Sequence, residues 1–204
     1  MVTPATPASE FTDALSAEIR HNYRLGRVIV AVDGLDSTAA FADELAGSFE
    51  RAGAHAVRAS LEGFLRPRAA RELRGADSGA GYYFDRYDTD TVKRVLIEPF
   101  RFGGSAGFQT QGFDAARDVP AESRWLTAPA DAVLVLDGPF LQRPGLKGQF
   151  NYTAYVESLW FAQGEEVREA DRLYQAEAGP RFGAQAIIDL ADPAHPRRVF
   201  ADSC

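Results

Sequence analysis

The sequence predicts an α/β domain with a doubly wound, mostly parallel sheet. Val28–Val32 and Ala132–Leu136 are short, continuous apolar runs, as found in strands that are buried on both faces of a parallel sheet. Other segments carry apolar residues at helical spacing, such as Phe41, Leu45 and Phe49. Because strands alternate with helices along the chain, we expect helices on both faces of the sheet.

Composition excludes several classes of function. The 204 residues carry a net charge of -7 and scattered basic residues, which argues against a nucleic-acid partner. No apolar run approaches the length that spans a membrane, and the first nine residues lack the features of a signal peptide. Since the one cysteine is Cys204, we expect no disulfide or zinc cluster within the chain and a cytoplasmic location.

The stretch from Arg27 to Phe49 predicts a strand, a tight turn and a helix. The turn is Asp33-Gly34-Leu35-Asp36-Ser37, and Ser37 is the predicted N-cap. A turn of this kind favours phosphate binding, because the first amides of the helix point into it. The sequence G-x-x-x-x-G-K-[ST] is absent, and the first lysine of the chain is Lys93. The turn is therefore either an ordinary connection or a relic anion site near Ser37 and Thr38.

The other elements follow from periodicity and breaker residues. Helices are predicted over Glu10–Tyr23, from Asp88 to a stop at Pro99, and over Gln163–Ala178, with one or two helical turns over Pro67–Arg74. Strands are predicted over Ala54–Ser60, Tyr152–Val156 and Ala186–Leu190. Gly75–Gly81 is predicted to be a loop, and Phe102–Asp118 an irregular excursion or a hairpin.

Seven short segments, in one order, resemble the uridine kinase-like branch of the P-loop nucleoside kinases. They are VIVAVDG, FADELA, ASLEGFLRPR, RGADSGAGYYFDRYDTD, AVLVLDGPFLQRP, DRLYQAEAGPR and AIIDLADPAHPRRV. The resemblance implies a P-loop NTPase-like three-layer α/β/α sandwich. It divides the chain into a tail and helix (1–26), a kinase-like domain (27–200) with a short lid around 160–175, and a tail (201–204). It also implies transfer of a phosphoryl group from ATP, with Mg²⁺, to a nucleoside or similar hydroxyl.

On the acceptor side, the resemblance assigns the role of general base to Glu62, where the family usually has Asp. The longer side chain moves the carboxylate by roughly 1 Å, a shift that matters for catalysis. Phe84 and Asp85 resemble the pair that packs on the nucleoside and holds its ribose hydroxyls. Tyr83, in an aromatic cluster suited to base stacking, and Arg66 complete the predicted substrate-binding set.

On the phosphate side, the resemblance places Asp137 near Mg²⁺, with a catalytic role. The predicted nucleotide-binding residues are Gly34, Ser37, Thr38, Arg168 and Arg172. Two departures affect this side, since the phosphate loop is about two residues shorter than the family pattern and the lid keeps two arginines. Phosphoryl transfer depends on positioning and charge stabilisation, and each lost donor costs roughly 10²–10³ in rate.

Each of these residues also has a structural interpretation. Glu62 and Asp85 fit solvated or capping acids, and Asp137 fits an Asp-Gly turn. Arg168 and Arg172 have the spacing of exposed ion pairs with nearby glutamates. Two hypotheses therefore stand: an ATP-dependent nucleoside kinase, and a non-catalytic descendant that binds a nucleoside, a nucleotide or a protein partner without a cofactor.

Overall fold

The structure is a computed structural model that describes residues 7–157 and 164–200. A six-stranded sheet forms its centre, in the order β2-β5-β1-β6-β7-β8. Its strands are β1 (Val28–Asp33), β2 (Ala56–Ser60), β5 (Val133–Gly138), β6 (Tyr152–Glu157), β7 (Ala186–Asp189) and β8 (Arg197–Val199). Neighbouring strands are parallel except for β7 and β8, which are antiparallel. Two short strands, β3 (Phe113–Asp114) and β4 (Val119–Pro120), form a separate hairpin that begins within the predicted excursion and ends just after it.

Helices cover both faces of the sheet. They are α1 (Pro7–Asn22), α2 (Thr38–Arg51), α3 (Arg68–Arg71), α4 (Gly79–Asp85), α5 (Thr89–Val92), α6 (Glu98–Phe102), α7 (Glu165–Ala178) and α8 (Pro180–Gly183). A 3₁₀ turn, Leu61–Phe64, follows β2, and a π-helical stretch, Lys93–Ile97, joins α5 to α6. Among the helices of the described residues, none is long and apolar enough to cross a membrane.

The core consists of two apolar clusters, one on each face of the sheet. Val28, Val30 and Val32 of β1 pack with α1 and α2 on one face. Ile29 and Ala31 face the other side, which α4, α7 and the helical segment after Asp88 cover. Both faces of β1 are therefore buried, which explains its continuous apolar sequence. The prediction of a three-layer sandwich with a mostly parallel sheet is confirmed.

The structure corrects three predicted boundaries and adds one strand. The helix α1 begins at Pro7, inside the stretch expected to be a loose tail. Gly79 begins α4, so the predicted loop ends earlier than Gly81. Pro99 does not end its helix, which continues to Phe102 after the π-helical stretch. Strand β8 was not predicted. Cys204, the tail at 201–204 and part of the predicted lid lie outside the described residues.

Candidate functional site

The carboxyl ends of three neighbouring strands meet at one edge of the sheet. Asp33 ends β1 and pairs with Gly138, and Ser60 ends β2 and pairs with Asp137. Ligands of open α/β sheets bind at this edge. Gly138 is required here, since its φ is 149° and a Cβ on it would lie 2.5 Å from the Cβ of Leu61. This close approach brings the 3₁₀ turn with Glu62 beside the end of β5.

Thr38 and Asp137 are in direct contact. The Thr38 hydroxyl donates a hydrogen bond of 3.1 Å to Oδ2 of Asp137. Both residues are buried, with 8% and 3% of their surface exposed. The first residue of α2 is thereby joined to the end of β5.

The turn between β1 and α2 has four residues, 34 to 37. A Cβ on Gly34 would lie 2.8 Å from the carbonyl oxygen of Val156, so only glycine fits between the turn and β6. Ser37 stands at the N-cap position as predicted, but its side chain makes no capping hydrogen bond and its φ is 58°. The side chain of Ser37 instead donates to Asp36, at 3.4 Å.

Arg58, which the sequence analysis did not select, reaches the same place from β2. Its Nη1 lies 2.7 Å from Oδ1 of Asp137. The two groups form an ion pair, although the geometry is not that of a hydrogen bond, and Oδ1 has no hydrogen-bond partner. Nε of Arg58 donates to Asp43 at 2.8 Å, and Nη2 donates to the carbonyl oxygen of Ala39 at 3.3 Å. The guanidinium therefore spans the gap between α2 and β5.

Two cavities flank the start of α2. One, of about 350 Å³, is lined by Asp43, Arg58, Ala59, Ser60, Gly63, Thr110 and Gln111. The other, of about 290 Å³, is lined mainly by apolar residues of α1, α2 and the loop after β7, with Ser37 at its margin. Glu62 and Asp137 line neither of these two cavities.

Asp33 is a second residue that the sequence analysis did not select. Its carboxylate is fully buried and accepts hydrogen bonds from the amide of Leu141 at 3.0 Å, from Nε2 of Gln142 at 2.9 Å and from the Tyr174 hydroxyl. Burial raises the pKa of Asp33 to about 6, and the hydrogen bonds oppose this rise. The left-handed backbone of Phe140, with a φ of 64°, turns the chain toward this carboxylate. Asp33 thus joins β1 to α7 and to the loop after β5.

Glu62 is an oriented carboxylate that remains accessible to solvent. Its side chain is 51% exposed, and Oε2 lies 3.6 Å from Nη2 of Arg86. The hydroxyl of Tyr87 donates to Oε1, and burial raises the pKa of Tyr87 well above its ordinary value. Arg86 lies over the rings of Tyr82 and Tyr87, at 5.1 and 5.7 Å. These contacts fix the carboxylate at the ligand edge of the sheet, and the general-base role of Glu62 stays a prediction.

The three predicted residues of α4 differ in accessibility. Tyr83 is completely buried and its hydroxyl donates to Glu177, so its ring is not available to stack on a ligand, contrary to the prediction. Phe84 is 38% exposed, with Arg74 over its ring at 5.5 Å. Asp85 is 7% exposed and forms an ion pair with Arg74.

Arg66 is half-buried, in the segment that follows the 3₁₀ turn. Its charge acts on Arg143 of the loop after β5. Burial lowers the pKa of Arg143, whose Nη1 donates to the carbonyl oxygen of Tyr83 at 2.7 Å. Arg143 is therefore a further arginine at α4, besides Arg74, which pairs with Asp85.

Arg168 and Arg172 lie on α7 and form ion pairs with Glu165, each at 2.8 Å. Their predicted contact with phosphates stays a prediction. The helix itself is held against α4, because the carboxylate of Glu169 accepts a hydrogen bond of 3.0 Å from the amide of Gly79. A Cβ on Gly79 would lie 2.7 Å from the carbonyl oxygen of Glu166, so the two helices approach closely only with glycine at this position.

Comparison with known proteins identifies the fold. No protein-family model matches the sequence, and no curated protein matches it. A possible uridine kinase from Bacillus stearothermophilus has a TM-score of 0.75 and 19% identity, over 87% of this chain and 97% of that protein. A protein named as a fructose transport system kinase, from Silicibacter sp. TM1040, gives 0.60 and 18%, over 86% and 96%. The phosphoribulokinase of Rhodobacter spheroides gives 0.53 and 14%, over 84% and 74%.

The chain has the fold of the uridine kinase-like P-loop kinases. This confirms the resemblance drawn from the seven segments. The ends of β1, β2 and β5 form the edge at which ligands of open α/β sheets bind. Residue roles depend on the side chains present here.

The residues at the phosphate side do not fit Mg²⁺. In P-loop NTPases a loop Ser or Thr and a strand-end Asp hold the metal, and Thr38 and Asp137 have the corresponding arrangement. The guanidinium of Arg58, however, already lies on the second carboxylate oxygen. Within 7–157 and 164–200, no three His, Cys, Asp or Glu side chains come together as a metal site.

The residues also do not fit the phosphates of ATP. The turn has four residues, without a second glycine or a lysine. Of the two lysines in the chain, Lys93 pairs with Asp90 at 2.9 Å and Lys147 lies in the loop between β5 and β6. An arginine does not replace a lysine that reaches between phosphates as a compact ammonium.

Both residues that the sequence analysis missed carried a visible signal. Asp33 is an acid placed directly after a buried strand. Arg58 is a single charge within an apolar strand, AHAVRAS. Their partners, from Ala39 to Tyr174, are distant in sequence and become evident from the fold alone.

Proposed function

We propose that the chain is a pseudokinase, which binds a nucleoside or a compound with a similar sugar hydroxyl without transferring a phosphoryl group to it. The observation that carries this proposal is the state of the phosphate side. Arg58 pairs with Asp137 at 2.7 Å, beside a turn of four residues that has no lysine. The groups that would bind and activate a phosphoryl donor are therefore replaced or lost.

The acceptor side supports binding. Glu62 is half exposed, and Tyr87 and Arg86 fix its position. A carboxylate held in this way is a strong acceptor for a hydroxyl group, since hydrogen bonds to ionised groups are about twice as strong as neutral ones. We therefore assign to Glu62 the recognition of a sugar hydroxyl.

Neighbouring side chains supply the other features of a nucleoside site. Phe84 is 38% exposed and offers a ring face to a base. Asp85 is a buried carboxylate that Arg74 neutralises, so a ribose diol would compete with Arg74 for it. Arg66 adds a cation beside α4.

A second candidate is the ATP-dependent nucleoside kinase that the resemblance implies. The contact between Thr38 and Asp137 at 3.1 Å favours it, because this pair has the arrangement that P-loop NTPases use. In this candidate Glu62 is the general base. The missing lysine and the position of Arg58 count against it.

Calorimetry with uridine and cytidine, in buffer with EDTA and without ATP, tests the proposal. We expect measurable heat at millimolar nucleoside. Glu62→Gln should weaken binding by about 10-fold or more, the loss expected when a hydrogen bond to a charged group is removed. Glu72→Gln is the matched control, because Glu72 is an exposed acid of the same region, and it should bind as the wild type does.

Production of ADP from ATP and a panel of nucleosides separates the two candidates. Turnover near ordinary kinase rates, about 1–100 s⁻¹, would reject the pseudokinase. The positive control for ADP production is a variant whose turn is rebuilt as Gly-Ser-Gly-Lys-Thr, which restores a phosphate loop. If no nucleoside gives heat and the wild type makes no ADP, the acceptor site assigned here is wrong.

A further inference from the structure

The contact between Arg58 and Asp137 has a consequence that does not depend on the bound ligand. Asp137 is 3% exposed, and a buried carboxylate requires a partner of opposite charge. One of its oxygens accepts the hydrogen bond from Thr38 at 3.1 Å. The other lies 2.7 Å from Nη1 of Arg58 and has no hydrogen-bond partner. The guanidinium therefore stands where a metal ion would meet this oxygen.

The fold fixes the Arg58 side chain in this position. Arg58 pairs with Val135 on the neighbouring strand, two residues before Asp137. Its guanidinium has three further contacts, with Asp43 at 2.8 Å, with the carbonyl oxygen of Ala39 at 3.3 Å and with the carbonyl oxygen of Ala59. Four contacts on three elements, β5, α2 and β2, hold the cation in place, and a second cation beside it would be repelled.

We propose that Arg58 is a resident cation that takes the place of a divalent metal at Asp137. The site is closed to Mg²⁺ while Arg58 is present and becomes a divalent-metal site when Arg58 is removed. Thr38 and Asp137 keep the oxygen donors that hard cations prefer. Arg58 lines the cavity of about 350 Å³, and its side chain is 25% exposed.

Three variants of the full chain test this proposal: Arg58→Met, which keeps an apolar stem, Asp137→Asn, and the double variant. The probe is Mn²⁺, followed by electron paramagnetic resonance, together with the melting temperature in EDTA and in millimolar Mg²⁺. We expect the wild type to bind no Mn²⁺ and to melt at one temperature in both buffers. Arg58→Met should bind one Mn²⁺ and melt at least about 5 °C lower in EDTA, with Mg²⁺ restoring most of the loss.

The other variants assign the effect to Asp137. The double variant should bind no Mn²⁺ and should be more stable in EDTA than Arg58→Met, because neither charge is left alone. Arg51→Met is the matched control, since Arg51, the last residue of α2, forms ion pairs with Asp13 of α1 at 2.8 Å and with Glu44 of α2 at 2.9 Å. It should gain no Mn²⁺ binding.

Three results would overturn the proposal. The first is Mn²⁺ bound by the wild type and lost in Asp137→Asn. The second is a folded Arg58→Met that binds no Mn²⁺. The third applies if Arg58→Met does not fold: a double variant that also fails to fold would show that Arg58 does not act through Asp137. Nucleoside binding in EDTA is independent of all three, so a failure of the proposed function is seen separately.

Discussion

Replacing Asp33 by Asn should remove a pH dependence from the stability of the fold. Asp33 is fully buried at the end of β1, and its pKa is raised from 3.8 to about 6. Between these values the folded state holds a proton that the unfolded state has released. The free energy of unfolding attributable to Asp33 is therefore largest below pH 4 and falls as the pH rises to about 6.

The size of this effect follows from the two pKa values. The difference between 3.8 and about 6 corresponds to about 3 kcal/mol of unfolding free energy, lost between pH 4 and pH 6 and constant above it. In Asp33→Asn this loss is absent. The introduced amide places an NH₂ donor against Nε2 of Gln142, which is itself a donor. This unfavourable contact lowers the free energy of unfolding by an amount that does not change with pH.

Urea denaturation of the wild type and of Asp33→Asn at several pH values measures the effect. The difference in unfolding free energy between the two should change by about 3 kcal/mol from pH 4 to pH 7. Asp36→Asn is the control, because Asp36 is exposed in the same turn, and it should follow the wild type. A constant difference between wild type and Asp33→Asn would refute the reasoning.

Two further predictions concern the packing of α4. Gly79→Ala should lower the free energy of unfolding by about 1–3 kcal/mol in urea denaturation, because its Cβ would lie 2.7 Å from the carbonyl oxygen of Glu166. Gly47→Ala in α2 is the control, because the atom nearest to its Cβ would lie 3.4 Å away. This change should raise the free energy of unfolding by up to about 1 kcal/mol. Equal effects of the two substitutions would contradict the close approach of α4 and α7. Arg74→Ala should lower the melting temperature, since Asp85 is buried and loses its ion pair. Adding Asp85→Asn should recover part of that loss, and no recovery would show that the pair does not matter.

Much of the fold could be predicted because its strongest signals are local. The apolar runs of β1 and β5 reflect burial on both faces, and the four-residue spacing of α2 reflects one buried face. Tyr83 shows the limit of such reasoning. An aromatic residue beside a glycine-rich segment suits base stacking and core packing equally. The ring of Tyr83 packs against that of Phe140, with the centroids 5.0 Å apart, and is therefore part of the core.

Other features depend on contacts between distant segments. Strand β8 is short and polar, and it forms because β7 offers a free edge. Pro99 is accommodated in a helix by the π-helical stretch before it, which breaker rules do not foresee. The contact between Thr38 and Asp137, and the neutralisation of that acid by Arg58 from an earlier strand, join segments far apart in the chain.

The contacts of α7 with α4 and β1 determine how a ligand enters the site at the carboxyl ends of the strands. Glu169 binds the first amide of α4, and Tyr174 of the same helix binds Asp33. An outward movement of α7 would remove the hydrogen bond that Tyr174 donates to the buried carboxylate of Asp33. It would also break the contact between Glu169 and the amide of Gly79, a close approach that only glycine permits. The side of the site that α7 forms is therefore fixed in position, and a ligand must enter from the side of Glu62 and Arg86.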